Sequence, residues 1–137
     1  MKSFARLVAT LLAVAVAGCP FLPWANGVPG TEVPWRSVFS PGTVGATGWV
    51  SSMALPVTIA AGIALLGALS GARPVVVVGG LLSVAVPTAW ILVNALDDQN
   101  GVALSVIGFG AYGAALAGFL LLVLSAVASD SRVQNLR

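Results

Sequence analysis

Residues 74–96 read PVVVVGGLLSVAVPTAWILVNAL, 23 positions without one charged side chain, and this stretch decides the fold. As a helix it rises about 35 Å at 1.5 Å per residue, enough to cross the roughly 30 Å hydrocarbon layer of a bilayer. Further along, residues 102–128 form a second such run, VALSVIGFGAYGAALAGFLLLVLSAVA. Two shorter apolar segments precede both, and with their interfacial flanks they cover residues 7–24 and 52–70. Every Lys, Arg, Asp and Glu of the 137-residue chain lies between or beyond these four segments, and histidine is absent.

Composition agrees with that reading. The chain is 58% hydrophobic and 7% charged, whereas soluble domains carry about a quarter charged residues. A soluble domain of this size could not cover four helices that are apolar all round. The expectation is an all-α membrane protein, a single integral membrane domain over residues 1–137. It is built as an up-and-down bundle of four transmembrane helices (7–24, 52–70, 74–96 and 102–128), with one irregular or hairpin-like outer loop at residues 25–51.

Charge orients the bundle. Lys2 and Arg6 precede the first segment, Arg73 lies between the second and third, and Arg132 and Arg137 follow the fourth. The other side carries Glu32, Arg36, Asp97 and Asp98. Basic residues concentrate on the cytoplasmic side, so both termini are expected inside. The connections suit this layout. Ser70-Gly71-Ala72-Arg73-Pro74 offers a glycine helix end followed by a proline in a first helical turn. Asp97-Asp98-Gln99-Asn100-Gly101 has turn chemistry.

The first segment has two readings. Its basic start, its apolar run and Val16-Ala17-Gly18-Cys19 look like a bacterial lipobox, with Cys19 as the lipidated residue. Alternatively Cys19 is a small apolar residue near the outer end of an uncleaved helix. Pro20 directly after the cysteine, and apolar sequence continuing through Phe21 and Leu22 to Trp24, favour the uncleaved helix.

All four tryptophans fall on the outer side. Trp24 ends the first span, Trp49 opens the second, Trp90 lies near the outer end of the third and Trp35 sits in the loop beside Arg36. Trp24, Trp49 and Trp90 suit an aromatic belt at headgroup level. Trp35 either packs the loop onto the helix ends, dips into lipid or meets a partner. Trp24, Trp35, Arg36, Trp49 and Trp90 are therefore the candidate outer-face interaction residues. Within the loop, residues 31–38 and 44–50 could pair as a hairpin, and Glu32 with Arg36 could pair as ions.

Phe21-Leu22-Pro23-Trp24, a Gly-rich outer loop, and Gly48-Trp49 leading into the second span resemble small four-span membrane proteins common in actinobacteria. In outline the chain is similar to the conserved membrane family encoded near tryptophan-biosynthesis genes. That resemblance implies a bacterial cytoplasmic membrane and no catalytic residue. Claudin-like proteins match less well, because the paired cysteines of their outer loop have no counterpart beside the single Cys19.

Small residues recur every fourth position. Ala60, Ala64 and Ala68 mark one face of the second helix, and Gly110, Ala114 and Gly118 one face of the fourth. Such faces let helix backbones approach closely in lipid, either within the bundle or against a partner. Polar atoms within the spans belong to Thr58, Ser83, Thr88, Ser105, Tyr112 and Ser125. Ser and Thr hydroxyls can bond back to their own helix, whereas Tyr112 needs a partner, with Ser83 the candidate. Pro87 is expected to kink the third helix, loosened further by Gly79-Gly80.

Function is bounded mainly by exclusion. Basic residues are too few and scattered for nucleic acid. No charged residue or histidine lies within a span, which disfavours ion-coupled transport. Phosphate loops, paired carboxylates and nucleophile triads are missing, and Asp97-Asp98 reads as a helix-end device rather than a metal site. Nothing implies a cofactor. The expectation is a non-catalytic accessory or structural subunit acting through helix packing and its outer loop, with the bilayer and another membrane protein or a second copy as partners. Alternatives are lipid or small-molecule binding at a Trp-lined outer mouth, and a holin-like pore-former.

Overall fold

The computed structural model describes residues 2–25, 28–34, 51–95 and 108–135, and these are predominantly helical. Four helices carry the fold: α1 (Ser3–Gly18), α2 (Ala54–Ser70), α3 (Arg73–Ala95) and α4 (Phe109–Asn135). A short 3₁₀ turn, Cys19–Phe21, follows α1 and leads into a small antiparallel hairpin of β1 (Pro23–Ala25) and β2 (Val28–Pro29). Three stretches are long and apolar enough to cross a membrane: Ser3–Phe21, Arg73–Val93 and Phe109–Ala128, with mean hydropathies of 1.9, 2.2 and 2.1. At 17 residues, α2 is apolar but shorter.

Each helix packs on its neighbours in sequence, and α4 closes the ring against α1. Neighbours run antiparallel. The start of α1 meets the end of α2 through Arg6, whose Nε donates to the Ala68 carbonyl at 3.1 Å. The start of α3 meets the late part of α4 through Arg73, whose Nε donates to the Ser125 carbonyl at 2.9 Å. The result is the expected up-and-down arrangement.

The α2–α3 corner follows from local chemistry. Gly71 takes φ 73°, the left-handed region open to glycine, and its N–H donates to the Ala68 carbonyl at 3.3 Å. α3 then begins at Arg73 with Pro74 in its first turn, where a missing N–H removes no helical bond. Farther along, α3 continues through buried Pro87 as one helix to Ala95.

Small side chains face inward and large ones outward. Ala5, Ala9, Ala13 and Val16 form the buried stripe of α1, while Phe4, Leu7, Leu11 and Val14 are exposed. On α4, Ala111, Ala114, Ala117 and Leu121 are buried, whereas Leu116, Phe119, Leu120 and Val123 are exposed. Lipid is as apolar as leucine, so helices of this kind associate through close backbone approach rather than by hiding their largest side chains. At the α2–α3 contact, a Cβ built on Gly79 would lie 2.4 Å from the Ala64 nitrogen. Only a hydrogen fits there.

Two helix limits differ from the sequence reading. α1 begins at Ser3 and ends at Gly18, not near Trp24. Pro20 and Pro23 lack amide protons, so a helix through them would lose bonds, and the chain turns back instead. Helix α4 continues past residue 128 to Asn135, carrying Asp130 and Arg132 on its last turns. Residues 96–107 lie outside the described residues, and with them Ser105, the turn at 97–101 and the start of the segment at 102. So does most of the hairpin expected from 31–38 and 44–50, together with the Glu32–Arg36 pair, because residues 35–50 are not described. The hairpin that is described is the earlier one, β1 with β2.

Candidate functional site: the tryptophan-sealed end of the bundle

At the end of the bundle opposite Arg6 and Arg73, the segment that follows α1 folds back over the helices. Leu22 N–H and Trp24 Nε1 both donate to the Cys19 carbonyl, at 3.1 and 3.0 Å. Thr31 N–H donates to the Pro20 carbonyl at 3.1 Å, returning the chain across the 3₁₀ turn. Gly108 N–H donates to the Trp24 carbonyl at 2.8 Å, tying the start of α4 to β1. Met53 N–H donates to the Val33 carbonyl at 2.7 Å, and Pro34 bridges Ser52, so residues 35–50 leave and return at adjacent points.

These ties carry the Trp24 indole into the bundle. Trp24 and Trp90 are both 0% exposed and meet edge to face, with ring centroids 5.4 Å apart and planes inclined by 69°. That is a favoured aromatic geometry. Glycines hold Trp24 on two sides: a Cβ on Gly110 would lie 2.4 Å from its Cδ1, and one on Gly30 would lie 2.7 Å from its Nε1. The indole N–H is satisfied by the Cys19 carbonyl, so the ring is both packed and hydrogen-bonded.

Trp24 and Trp90, expected in an aromatic belt, both have their rings inside the bundle end, where they close it off. The physical reason is the glycine at position 110, which leaves a hollow the size of an indole face where α4 passes α1. Trp35, Arg36 and Trp49, the other outer-face candidates, lie outside the described residues.

Cys19 sits beneath this plug, 5% exposed, with its Sγ donating to the Ala15 carbonyl at 3.1 Å. Among the described residues, no three of His, Cys, Asp and Glu come together as a metal site would require.

The small-residue faces are also placed. Ala60, Ala64 and Ala68 are fully buried. Gly110 and Gly118 are buried with Ala114 between them. Gly110 packs on Trp24, and a Cβ on Gly118 would lie 2.7 Å from the Ser83 Cβ. Both faces are consumed within this chain, so neither is offered to a partner.

Ser83 donates to the Gly79 carbonyl at 2.7 Å and Ser125 to the Leu121 carbonyl at 2.9 Å, as hydroxyls in apolar helices do. Thr58 departs from this pattern: its buried hydroxyl finds no hydrogen-bond partner among the described residues. Ser83 faces Gly118, six residues or about 9 Å of helical rise beyond Tyr112, which is 43% exposed on α4. The pairing expected between Tyr112 and Ser83 is not the one formed.

Sequence reasoning missed Gly30 and Gly108 as the walls around Pro23 and Trp24, and Arg6 as the tie between α1 and α2. The first had a weak signal in Gly108-x-Gly110 at a helix start; the second had only a cation one turn into a span.

No family model matches the chain, and no curated protein or solved structure is detectably similar to it.

Proposed function

We propose that this chain is a multi-pass protein of a bacterial cytoplasmic membrane. In this reading all four helices cross the bilayer, both termini face the cytoplasm, and the protein serves as a non-catalytic accessory or structural subunit. One observation carries the reading: alanine and glycine predominate inside the bundle around two interlocked tryptophans, while most of the described leucines and phenylalanines are exposed or half-exposed. Such a body is made to sit in lipid. The buried side-chain hydroxyls of Ser52, Thr58, Ser83 and Ser125 and the Cys19 thiol, among the described residues, are too little to serve ion passage or acid–base chemistry.

The positive-inside distribution supports the orientation, and α2 crosses with help from its flanks, its short length absorbed by local thinning of the bilayer. With the small-residue faces used internally, partner contact falls to the outer loop of residues 25–51 and to the exposed apolar faces.

The test is affinity purification of the full chain from native membranes in mild detergent, followed by mass spectrometry. A stoichiometric membrane partner is expected; a monodisperse lone chain would refute the subunit role. For topology, a green fluorescent protein fused at the C-terminus should fluoresce, and alkaline phosphatase inserted in the outer loop should be active.

A further inference from the structure

The end of the bundle opposite the tryptophans carries a feature of a different kind. A groove of about 260 Å³ runs between the start of α1 and the end of α2, lined by Ser3, Arg6, Leu7, Thr10, Ala68 and Leu69. That is several times the ~30 Å³ share of one water in the liquid. The four α1 residues stand at i, i+3, i+4 and i+7, so they form one stripe along the helix.

The groove's lining is mixed: Ser3, the Arg6 guanidinium and Thr10 are polar, and beside them stand Leu7 and Leu69, exposed by 57% and 56%. Arg6 is fixed rather than free: Nε donates to the Ala68 carbonyl and one terminal nitrogen to the Leu69 carbonyl. A guanidinium has five N–H donors, so three remain after these two bonds. Holding the side chain in place before a ligand arrives lowers the entropy lost on binding.

The charged side chains described at this end have one sign: they are Lys2, Arg6 and Arg73. From this geometry we propose that the groove binds the anionic phosphodiester headgroup of a membrane lipid, with Arg6 and Ser3 at the phosphate and Leu7 and Leu69 along the first part of an acyl chain. The exposed leucines beside the guanidinium are what separate a lipid from free phosphate, which has no use for them. Basic pockets between transmembrane helices on the cytoplasmic side are where such headgroups are held.

The proposal rests on the membrane reading above, and the experiment separates the two. Full-length protein in a non-ionic detergent is incubated with phosphatidylglycerol or phosphatidylcholine, and retained lipids are counted by native mass spectrometry. One phosphatidylglycerol per chain is expected, preferred over phosphatidylcholine by roughly fivefold for the charge contributed by Arg6. Arg6→Gln should abolish the preference. Leu69→Trp, a change at an exposed position that leaves the fold intact, should block the groove and do the same. Arg73→Gln, at the same end but outside the groove, should leave it unchanged. Equal retention of the two lipids would overturn the proposal, as would an equal loss in Arg73→Gln. Displacement of the lipid by millimolar inorganic phosphate would overturn the lipid as its occupant. Separately, release of the chain from membranes by alkaline carbonate would refute the membrane reading itself, whatever the headgroup preference.

Discussion

The Trp24 indole lies edge to face against Trp90, and its N–H bonds to the carbonyl of Cys19, so the segment that follows α1 locks onto α3 at one point. Trp24→Ala should lower stability by about 3 kcal/mol, the usual cost of emptying a large buried aromatic site. A double-mutant cycle with Trp90→Ala should return a coupling of about 1 kcal/mol for the ring pair. Reversible unfolding in mixed micelles, followed by near-UV circular dichroism, would measure both. Additive losses would show that the two rings do not support each other.

Burial makes a spectroscopic prediction as well. A variant with Trp24 as its only tryptophan should resist quenching by aqueous acrylamide and by lipids brominated near the headgroup. Strong quenching by the brominated lipid would put the ring back in an interfacial belt.

Glycines of similar appearance should respond oppositely to a methyl group. Gly79→Ala forces a Cβ into the α2 backbone at Ala64 and should destabilise the bundle by about 2 kcal/mol, the range of overpacking. Gly62 has no atom within 4 Å of such a Cβ, so Gly62→Ala should be neutral or stabilise by about 0.5 kcal/mol. Thermal scans of the two purified variants compare them directly.

At the α2–α3 corner, Gly71→Ala should cost about 1 kcal/mol, because a Cβ is unfavourable at φ 73°. Gly71→Asn should cost less, since asparagine tolerates the left-handed region better than other side chains. Equal losses for the two would show that the Arg6 side chain packed on this turn, rather than backbone strain, sets the limit.

Residues 1–18 supply a whole wall of the bundle: Ala9, Ala13 and Val16 are fully packed, and the Trp24 plug hangs from the carbonyl of Cys19. Removal of that wall would uncover the faces of α2 and α4 that pack against α1, so the uncleaved form is expected in membranes. Intact-mass measurement of the recovered chain checks this, and a mass reduced by residues 1–18 with a diacylglycerol added would establish Cys19 as a lipidation site instead. In the uncleaved fold the Cys19 thiol should label with maleimide far more slowly than an exposed thiol.

By itself, the sequence determined where helices could form and which way they alternate. Charge-free runs, the Gly71 corner and the placement of basic residues depend on local composition and on chain connectivity, and each is written in consecutive residues. The helix-packing faces were visible too, because Ala60-Ala64-Ala68 and Gly110-Ala114-Gly118 are periodic. What those faces touch was not visible. In a chain this apolar, core and exterior are both rich in apolar side chains, so the hydropathy that separates inside from outside in a soluble protein carries no such information here. Only the tertiary structure decided that Trp24 and Trp90 face each other, because the segment after α1 folds back over the bundle and Gly30 and Gly110 leave room there for the Trp24 indole.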